Sequence, residues 1–197
     1  MSSLFDDVSR RFEAGLKASP GELWIDPRIH AIETFKPAAV LITLTERPRP
    51  GMLLLHRPST MRAHPGQIAF PGGRLDPDET AIEGALREAE EELGIRPRDV
   101  QVIGTGDRYR TGSGYEITPV IGVIPPDLPI IPNPAEVAQW FEAPAEFVLD
   151  PANQKTKWIE AEGERHAFVE ITWSDHRIWG VTGAILHNLA HRLNWND

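Results

Sequence analysis

One acidic segment constrains the fold of this chain more than any other stretch. Residues 72–95, GGRLDPDETAIEGALREAEEELGI, hold eight carboxylates in twenty-four positions, with glycines near both ends. A helix is predicted between the glycines, because apolar residues recur there at helical spacing and fall within an arc of about 100°. The residues of this stripe, which is predicted to be buried, are Ile82, Ala85, Leu86, Ala89 and Leu93.

The boundaries of this helix can also be predicted from local chemistry. Asp76 can accept hydrogen bonds from the free backbone N–H groups, and Pro77 suits the first helical position. Glu79 can bond back to the helix start, as the acidic residue of a capping box does. Gly94 supplies the left-handed conformation with which many helices end. The sequence therefore predicts a helix from about residue 77 to residue 93.

Three carboxylates of this helix share one flank. Glu88, Glu91 and Glu92 are spaced i, i+3, i+4, so their like charges repel one another. A flank that merely faces solvent usually alternates acids with lysines, and this segment contains no lysine. A hard divalent cation such as Mg²⁺ or Mn²⁺ would turn the repulsion into ligation by oxygen. The spacing alone leaves both interpretations open, a solvated face and a metal site.

Composition narrows the class of partner and of compartment. The 197 residues carry a net charge of −9, which argues against a nucleic-acid-binding surface and requires local basic groups or metal ions for any phosphate ligand. The absence of cysteine excludes thiolate chemistry and favours a reducing cytoplasm. No apolar run approaches the about 20 residues of a membrane-spanning helix, and the N-terminus lacks the apolar core of a secretory signal. We therefore expect a cytoplasmic protein without a membrane partner.

Strand and helix patterns alternate along the chain and predict an α/β fold. Strands are expected at 38–46, 51–58, 66–73, 99–106, 117–125 and 136–144, with a hairpin that turns at Gly163 and a strand at 176–180 before the last helix. A proline-rich loop is predicted at 125–134. We divide the chain into an N-terminal helix and extension, 1–34, and a domain at 35–197 that includes the C-terminal helix. The N-terminal helix, with Leu4, Phe5, Val8, Phe12 and Leu16 on one face, is expected to pack on the domain, and a membrane-surface helix is the alternative.

The acidic segment resembles a known motif at every fixed position. Residues 73–95 match the Nudix box, G-x5-E-x7-R-E-U-x-E-E-x-G-U, in which U is apolar. The matching residues are Gly73, Glu79, Arg87, Glu88, Ala89, Glu91, Glu92, Gly94 and Ile95. The chain is thus similar to Nudix hydrolases, which implies an α/β/α sandwich with a mixed sheet and the acidic box in a loop–helix–loop.

The resemblance also implies the chemistry. Nudix hydrolases use Mg²⁺ or Mn²⁺ to hydrolyse a nucleoside diphosphate linked to another group. Glu88, Glu91 and Glu92 correspond to the usual metal ligands, and Arg87 would hold a carboxylate in place by a charge-assisted hydrogen bond. Gly73 would let the backbone approach the site closely. The implied ligand is a small nucleoside diphosphate derivative, and a homodimer is compatible with the resemblance, although no stretch of sequence identifies a contact surface.

A second motif lies immediately upstream and favours one substrate. Residues 53–73 resemble LLTxRSx3Rx3Gx3FPGG, a pattern of the coenzyme A pyrophosphatase branch of Nudix hydrolases. The matches are Leu53, Leu54, Arg57, Arg62, Gly66, Phe70, Pro71, Gly72 and Gly73, whereas Leu55 and Pro58 replace threonine and serine. The resemblance implies hydrolysis of coenzyme A or acyl-CoA to 3′,5′-ADP and (acyl-)4′-phosphopantetheine. The expected substrate-binding residues are Arg57, Arg62, His64, Gln67, Gly72 and Gly73.

Two questions stay open in the sequence. The attacking water needs a proton acceptor, which the family takes from Glu88 or from a glutamate of a later loop, and Glu136 is the downstream candidate, as a base or an extra metal ligand. The substrate could instead be ADP-ribose or another nucleoside diphosphate derivative. A Nudix-fold sensor that binds without turnover is a further alternative, although no box carboxylate is missing.

Overall fold

The computed structural model describes residues 3–19, 23–59, 66–161 and 163–195. The helices in these ranges are α1 (Leu4–Lys17), α2 (Ala81–Leu93), α3 (Ala145–Val148) and α4 (Gly180–Leu193). The strands are β1 (Lys36–Thr45), β2 (Gly51–His56), β3 (Ile68–Ala69), β4 (Gly72–Arg74), β5 (Gln101–Thr105), β6 (Tyr109–Arg110), β7 (Tyr115–Ile124), β8 (Gln139–Pro144), β9 (Lys155–Ala161), β10 (Glu164–Trp173) and β11 (His176–Trp179).

Most strands join one mixed sheet. Its main path runs β3-β2-β1-β7-β5, with β4 paired to β1, β6 to β7 and β8 to β2. The β1–β7 pair is parallel and the other pairs of this sheet are antiparallel. A second, antiparallel sheet has the order β11-β10-β9. The mixed sheet with helices on both faces confirms the predicted α/β/α sandwich.

The two faces of the main sheet are both buried, as the uninterrupted apolar runs of β1 and β2 require. Alternate residues point to opposite faces. Leu41 and Leu53 pack with α2 in one cluster. Ile42 and Leu54 pack with α1, α4 and the second sheet in the other. The acidic helix α2 therefore covers the face of the main sheet that carries Leu41 and Leu53.

The N-terminal helix packs on the domain, as predicted. Val8 and Phe12 of α1 are buried in the core that α4 shares, whereas Leu16 is 43% exposed. Arg192 of α4 donates to the Gly15 carbonyl at 2.8 Å and forms a two-point ion pair with Asp107. Among the described residues, no helix has the length and apolar character to cross a bilayer. The division at residue 35 stays a prediction.

The acidic helix starts later than the sequence predicts. Its N-cap is Thr80, which forms a reciprocal capping box with Glu83, so the prediction of a start at Asp76 was wrong. Glu79 bonds back to the backbone N–H of Asp76 at 2.9 Å, in the loop before the helix. Ile82, predicted to be buried, lies in the first turn of α2 and is 37% exposed, whereas Ala85, Ala89 and Leu93 of the same stripe are buried.

Two strand boundaries also differ from the predictions. The expected strand 66–73 is interrupted at Phe70 and Pro71 and forms β3 and β4. The expected strand 136–144 begins only at Gln139, and Glu136 lies in the turn before it. This turn belongs to the loop that follows the prolines, and its placement beside α2 bears on the site.

Candidate active site

A glycine strand and the acidic helix form the base of the candidate site. The backbone N–H of Gly72 in β4 donates to Glu92 Oε2 at 2.9 Å. A Cβ on the next residue, Gly73, would lie 2.5 Å from Glu88 Oε1, so any larger residue here would have to displace the Glu88 carboxylate. The predicted role of Gly73, close approach of the backbone, therefore has a direct steric basis.

Glu92 is the most buried carboxylate of the helix. Its side of α2 faces the sheet, and the residue is only 3% exposed. The pKa of Glu92 is raised to about 8, chiefly by burial and also by the charges of Glu88 and Glu136, whereas the Gly72 hydrogen bond and the charge of Arg57 act in the opposite direction. A carboxyl group with these neighbours gains from a nearby positive charge.

Glu88 lies one helical turn away and is half-buried. Burial raises its pKa, although the hydrogen bond and charge of Arg87 oppose this, and the charges of Glu91 and Glu136 add to the rise. Arg87 Nη1 donates to Glu88 Oε1 at 2.9 Å. This hydrogen bond holds one oxygen of the Glu88 carboxylate in place.

Arg87 links the carboxylates of the box to each other. Arg87 forms two hydrogen bonds to Glu79, from Nε to Oε1 at 2.8 Å and from Nη2 to Oε2 at 3.0 Å. Its Nη1 also donates to Glu91 Oε2 at 3.3 Å, and its Nη2 donates to the Arg74 carbonyl. These contacts hold the Arg87 pKa above its ordinary value, with the Glu79 hydrogen bond as the largest cause. Arg87 thus orients Glu88 and ties the helix to the preceding loop.

The proline-rich loop brings Glu136 to the same place. Asn133 N–H donates to the Glu92 carbonyl at 2.8 Å, and Ile131 N–H donates to the Leu93 carbonyl at 2.9 Å, so the loop caps the end of α2. Asn133 Nδ2 donates to Glu136 Oε1 at 3.2 Å. Carboxylate oxygens of Glu88, Glu92 and Glu136 lie within 4.8 Å of one another.

Glu91 stands apart from this cluster. Its side chain is 51% exposed, and its contact among the described residues is with Arg87. The structure therefore groups the predicted ligands Glu88 and Glu92 with Glu136, and leaves Glu91 on the rim. Whether Glu91 ligates a metal stays a prediction.

Among the predicted substrate-binding residues, Arg57 is the cation that the structure describes. It follows β2, and its charge lowers the pKa of Glu92. Its Nε is buried and has no hydrogen-bond partner among the described residues. Gln67 is connected to Arg57 by a backbone hydrogen bond, in which the Arg57 N–H donates to the Gln67 carbonyl at 3.0 Å. Arg62 and His64 lie outside the described residues.

Comparisons with known proteins identify the family. A model of the NUDIX domain matches residues 34–162. The chain belongs to the Nudix family. It is 40% identical over 194 residues to the uncharacterized Nudix hydrolase NudL of Photorhabdus laumondii subsp. laumondii, covering 98% of this chain and 99% of the relative. It is 43% identical over 158 residues to the uncharacterized Nudix hydrolase NudL of Escherichia coli (strain K12), covering 79% and 82%.

A solved structure agrees in fold. The crystal structure of a MutT/nudix family protein from Enterococcus faecalis matches with a TM-score of 0.50 and 14% identity, over 99% of this chain and 74% of that one. At this identity the likeness concerns the fold alone. The family match and the relatives make this chain a Nudix hydrolase, an enzyme that acts on nucleoside diphosphate derivatives.

Nudix hydrolases generally use divalent metal ions, and the donor set of this Nudix hydrolase fits one. Glu88, Glu92 and Glu136 offer hard oxygen donors that lie within 4.8 Å of one another. The raised pKa values of Glu88 and Glu92 indicate carboxyl groups that are short of positive charge. Mg²⁺ and Mn²⁺ both accept such ligands, and the donor atoms do not distinguish them.

Sequence reasoning missed two supporting residues of this Nudix hydrolase. Glu79 was assigned to the helix cap, whereas its main partner is Arg87, eight residues away. Asn133 was not singled out, although it holds both α2 and Glu136. A signal for Asn133 existed, because its side chain accepts from Ala135 N–H at 3.1 Å in the turn that an Asn-Pro pair favours.

Proposed function

We propose that this Nudix hydrolase cleaves the diphosphate bond of coenzyme A or acyl-CoA, releasing 3′,5′-ADP and (acyl-)4′-phosphopantetheine. The observation that carries the proposal is the position of Arg57. It is a matching residue of the coenzyme A-branch motif, and its charge acts on Glu92, a carboxylate of the metal-type cluster. A guanidinium beside such a cluster suits the charge of a diphosphate.

The two departures from that motif do not weaken the proposal equally. Leu55 replaces threonine, but it is fully buried in the core on the α2 side of the sheet, so a core position has changed. Pro58 replaces serine directly after Arg57 and is half-buried. The substitution at 58 is the one that bears on substrate contacts.

The chain supplies the charges for a metal-assisted hydrolysis. Glu88 and Glu92 are the proposed inner ligands, with Glu136 and Glu91 as further ligands. A bound Mg²⁺ or Mn²⁺ would neutralise the diphosphate oxygens, orient a water and lower its pKa. Arg87 keeps Glu88 in orientation, and Arg57 holds the diphosphate. Coenzyme A also carries a 3′-phosphate, for which Arg62 and His64 are the proposed contacts.

The bond changes are those of a simple hydrolysis. The water oxygen forms a bond to one phosphorus, the bond from that phosphorus to the bridging oxygen breaks, and the water proton passes to a carboxylate. Glu88 and Glu136 are the proposed acceptors, because both belong to the cluster whose oxygens lie within 4.8 Å. Glu88 has one oxygen bonded to Arg87 and Glu136 has one bonded to Asn133, which leaves each with a second oxygen for the proton.

A product-release assay tests the substrate. The purified chain is incubated with Mg²⁺ or Mn²⁺ and, separately, coenzyme A, acetyl-CoA, ADP-ribose and NADH. The proposal predicts the highest kcat/KM for coenzyme A or acetyl-CoA and release of 3′,5′-ADP. A preference for ADP-ribose or NADH would reject the substrate and keep the chemistry, and binding without products would favour a sensor.

A further inference from the structure

A pair of histidines joins the two sheets close to Arg57. His56 is the last residue of β2 in the main sheet, and His176 is the first residue of β11 in the second sheet. His56 Nε2 lies 2.9 Å from His176 Nδ1, a hydrogen bond between residues 120 positions apart. Because His56 directly precedes Arg57, the pair connects the second sheet to a proposed substrate-binding residue.

The His176 ring is fixed by aromatic stacking. It lies flat on Phe141 of β8, with ring centroids 3.6 Å apart and planes within 1° of parallel. Trp173 stacks at 5.6 Å from it with an interplanar angle of 14°. A ring held in this way loses little further freedom when it makes a hydrogen bond. His176 therefore offers His56 a hydrogen-bond partner whose ring is held in place by stacking.

The His56 ring also engages the far end of the segment that carries Arg62 and His64. Burial lowers the pKa of His56, as does the charge of His176, whereas a hydrogen bond with the Gly66 backbone raises it. A neutral imidazole has one donor and one acceptor nitrogen. With Nε2 engaged by His176, Nδ1 is the nitrogen left for a contact with the Gly66 backbone.

Backbone hydrogen bonds also join Arg57 to Gly66 and Gln67. Arg57 N–H donates to the Gln67 carbonyl at 3.0 Å, and Gly66 N–H donates to the Arg57 carbonyl at 3.1 Å. The two ends of the segment between Arg57 and Gly66 therefore meet beside the His56 ring. A shift of His56 would reach both ends through Arg57, the next residue in the chain.

We propose that His176 is a positioning residue for substrate binding, acting through His56 to hold Arg57, with its backbone bonds to Gly66 and Gln67, in place beside Glu92. It touches no reacting atom. The substrate part of this inference rests on the proposed function, whereas the hydrogen bond between His176 and His56 and the backbone bonds of Arg57 do not. The two can therefore fail separately.

Matched variants test the inference on the full chain. His176→Phe keeps a ring for stacking on Phe141 and removes the hydrogen bond to His56. His166→Phe in β10 makes the same change within the same sheet, at a residue that pairs with Ile159 through the backbone and whose side chain has no hydrogen bond with the described residues. Melting temperature and circular dichroism check the fold of both. The loss of one hydrogen bond predicts a rise of roughly twofold to tenfold in KM for coenzyme A in His176→Phe, with kcat nearly unchanged, and no change in His166→Phe.

Rescue and spectroscopy complete the test. His176→Gln restores a side-chain partner for His56 and should recover most of the KM. In the substrate-free protein, long-range proton–nitrogen NMR should show His56 protonated at Nδ1 with Nε2 accepting, and the amide signals of Arg57 and Gly66 should shift in His176→Phe but not in His166→Phe. An unchanged KM together with unchanged amide signals would overturn the inference, and so would a fall in stability with no change in either. If the wild type does not cleave coenzyme A, the proposed function fails and the NMR comparison alone decides whether the link exists.

Discussion

The N–H of Gly72 donates to Glu92 Oε2 at 2.9 Å, and this single bond joins the glycine strand to the most buried carboxylate of the acidic helix. Burial and the charges of Glu88 and Glu136 raise the pKa of Glu92 to about 8 and so oppose its ionisation. A cation bound beside Glu92 would offset that cost. The following predictions depend on that balance.

Glu92→Gln should remove most turnover and leave the fold intact. Glutamine keeps an oxygen that can accept from Gly72, but it removes the negative charge, so the loss in kcat should be at least about a hundredfold. Glu90→Gln is the matched control, since Glu90 lies on the exposed side of the same helix. Steady-state rates with Mg²⁺ and a melting curve measure both. Unchanged rates in Glu92→Gln would contradict the assignment of Glu92 as a ligand.

The metal-free protein should lose stability as the pH rises towards 8. The folded-state pKa of Glu92 is about 8, whereas an unfolded chain has about 4.3. Since the folded state holds this proton more tightly, its contribution is fully present below about pH 4.3 and is lost as the pH passes through the folded value. The burial-raised pKa of Glu88 adds in the same direction.

The measurement is the melting temperature in chelator between pH 5 and 9, taken as wild type minus Glu92→Gln so that other titrating groups cancel. The difference should become steadily less favourable to the wild type up to about pH 8. Mn²⁺ should raise the wild-type melting temperature more at pH 8 than at pH 6, because it no longer has to displace a proton. A difference that stays level with pH would contradict the buried-carboxyl account.

Arg87→Lys should lower activity through loss of the two-point contact with Glu79. Lysine keeps the charge but cannot bond two carboxylate oxygens in one plane, so Glu88 loses its orientation. Loss of a residue that orients metal ligands typically costs about 10- to 100-fold. Glu79→Gln should produce a similar loss, and the double variant should be little worse than either single one. Additive losses would show that the two residues act independently.

Gly73→Ala should weaken metal binding by steric displacement of Glu88. The added Cβ would lie 2.5 Å from Glu88 Oε1, which is too close for two non-bonded atoms. Gly106→Ala is the control, because its Cβ would meet Ile121 Cδ1 at an ordinary 3.4 Å. Mn²⁺ affinity by calorimetry should fall in the first variant and stay at the wild-type value in the second. Equal affinities would mean that β4 yields without disturbing Glu88.

Arg57→Ala should lower kcat/KM for coenzyme A and for dephospho-CoA by the same factor. Arg57 acts on Glu92 and is proposed to hold the diphosphate, which both compounds share. Arg49→Ala provides the control, since Arg49 is exposed in the turn between β1 and β2. A loss confined to coenzyme A would assign Arg57 to the 3′-phosphate instead.

Local patterns predicted the parts of this molecule that depend on local chemistry. The acidic helix, its glycine end and the apolar runs of β1 and β2 follow from spacing and periodicity. The predicted helix start at Asp76 was wrong because Asp76 and Thr80 both suit an N-cap, and Thr80 gains a reciprocal hydrogen-bond partner in Glu83. The same later start places Ile82 in the first turn, where it is 37% exposed, while Ala85, Ala89 and Leu93 of the predicted stripe are buried.

Long-range contacts left little trace in the sequence. The bond between His56 and His176 joins residues 120 positions apart, and neither lies in a motif position that demands histidine. The grouping of Glu136 with Glu88 and Glu92 was a hypothesis from its place after the prolines. Its basis is the pair of hydrogen bonds by which Asn133 holds both the end of α2 and Glu136.

The central claim is that divalent ions lie among these carboxylates when the enzyme works, and anomalous scattering from crystals grown with Mn²⁺ tests it most directly. The account predicts a strong manganese peak within ligand distance of Glu88, Glu92 and Glu136, and its loss in crystals of Glu92→Gln. Crystals of catalytically active protein that show no manganese beside these three side chains would contradict it.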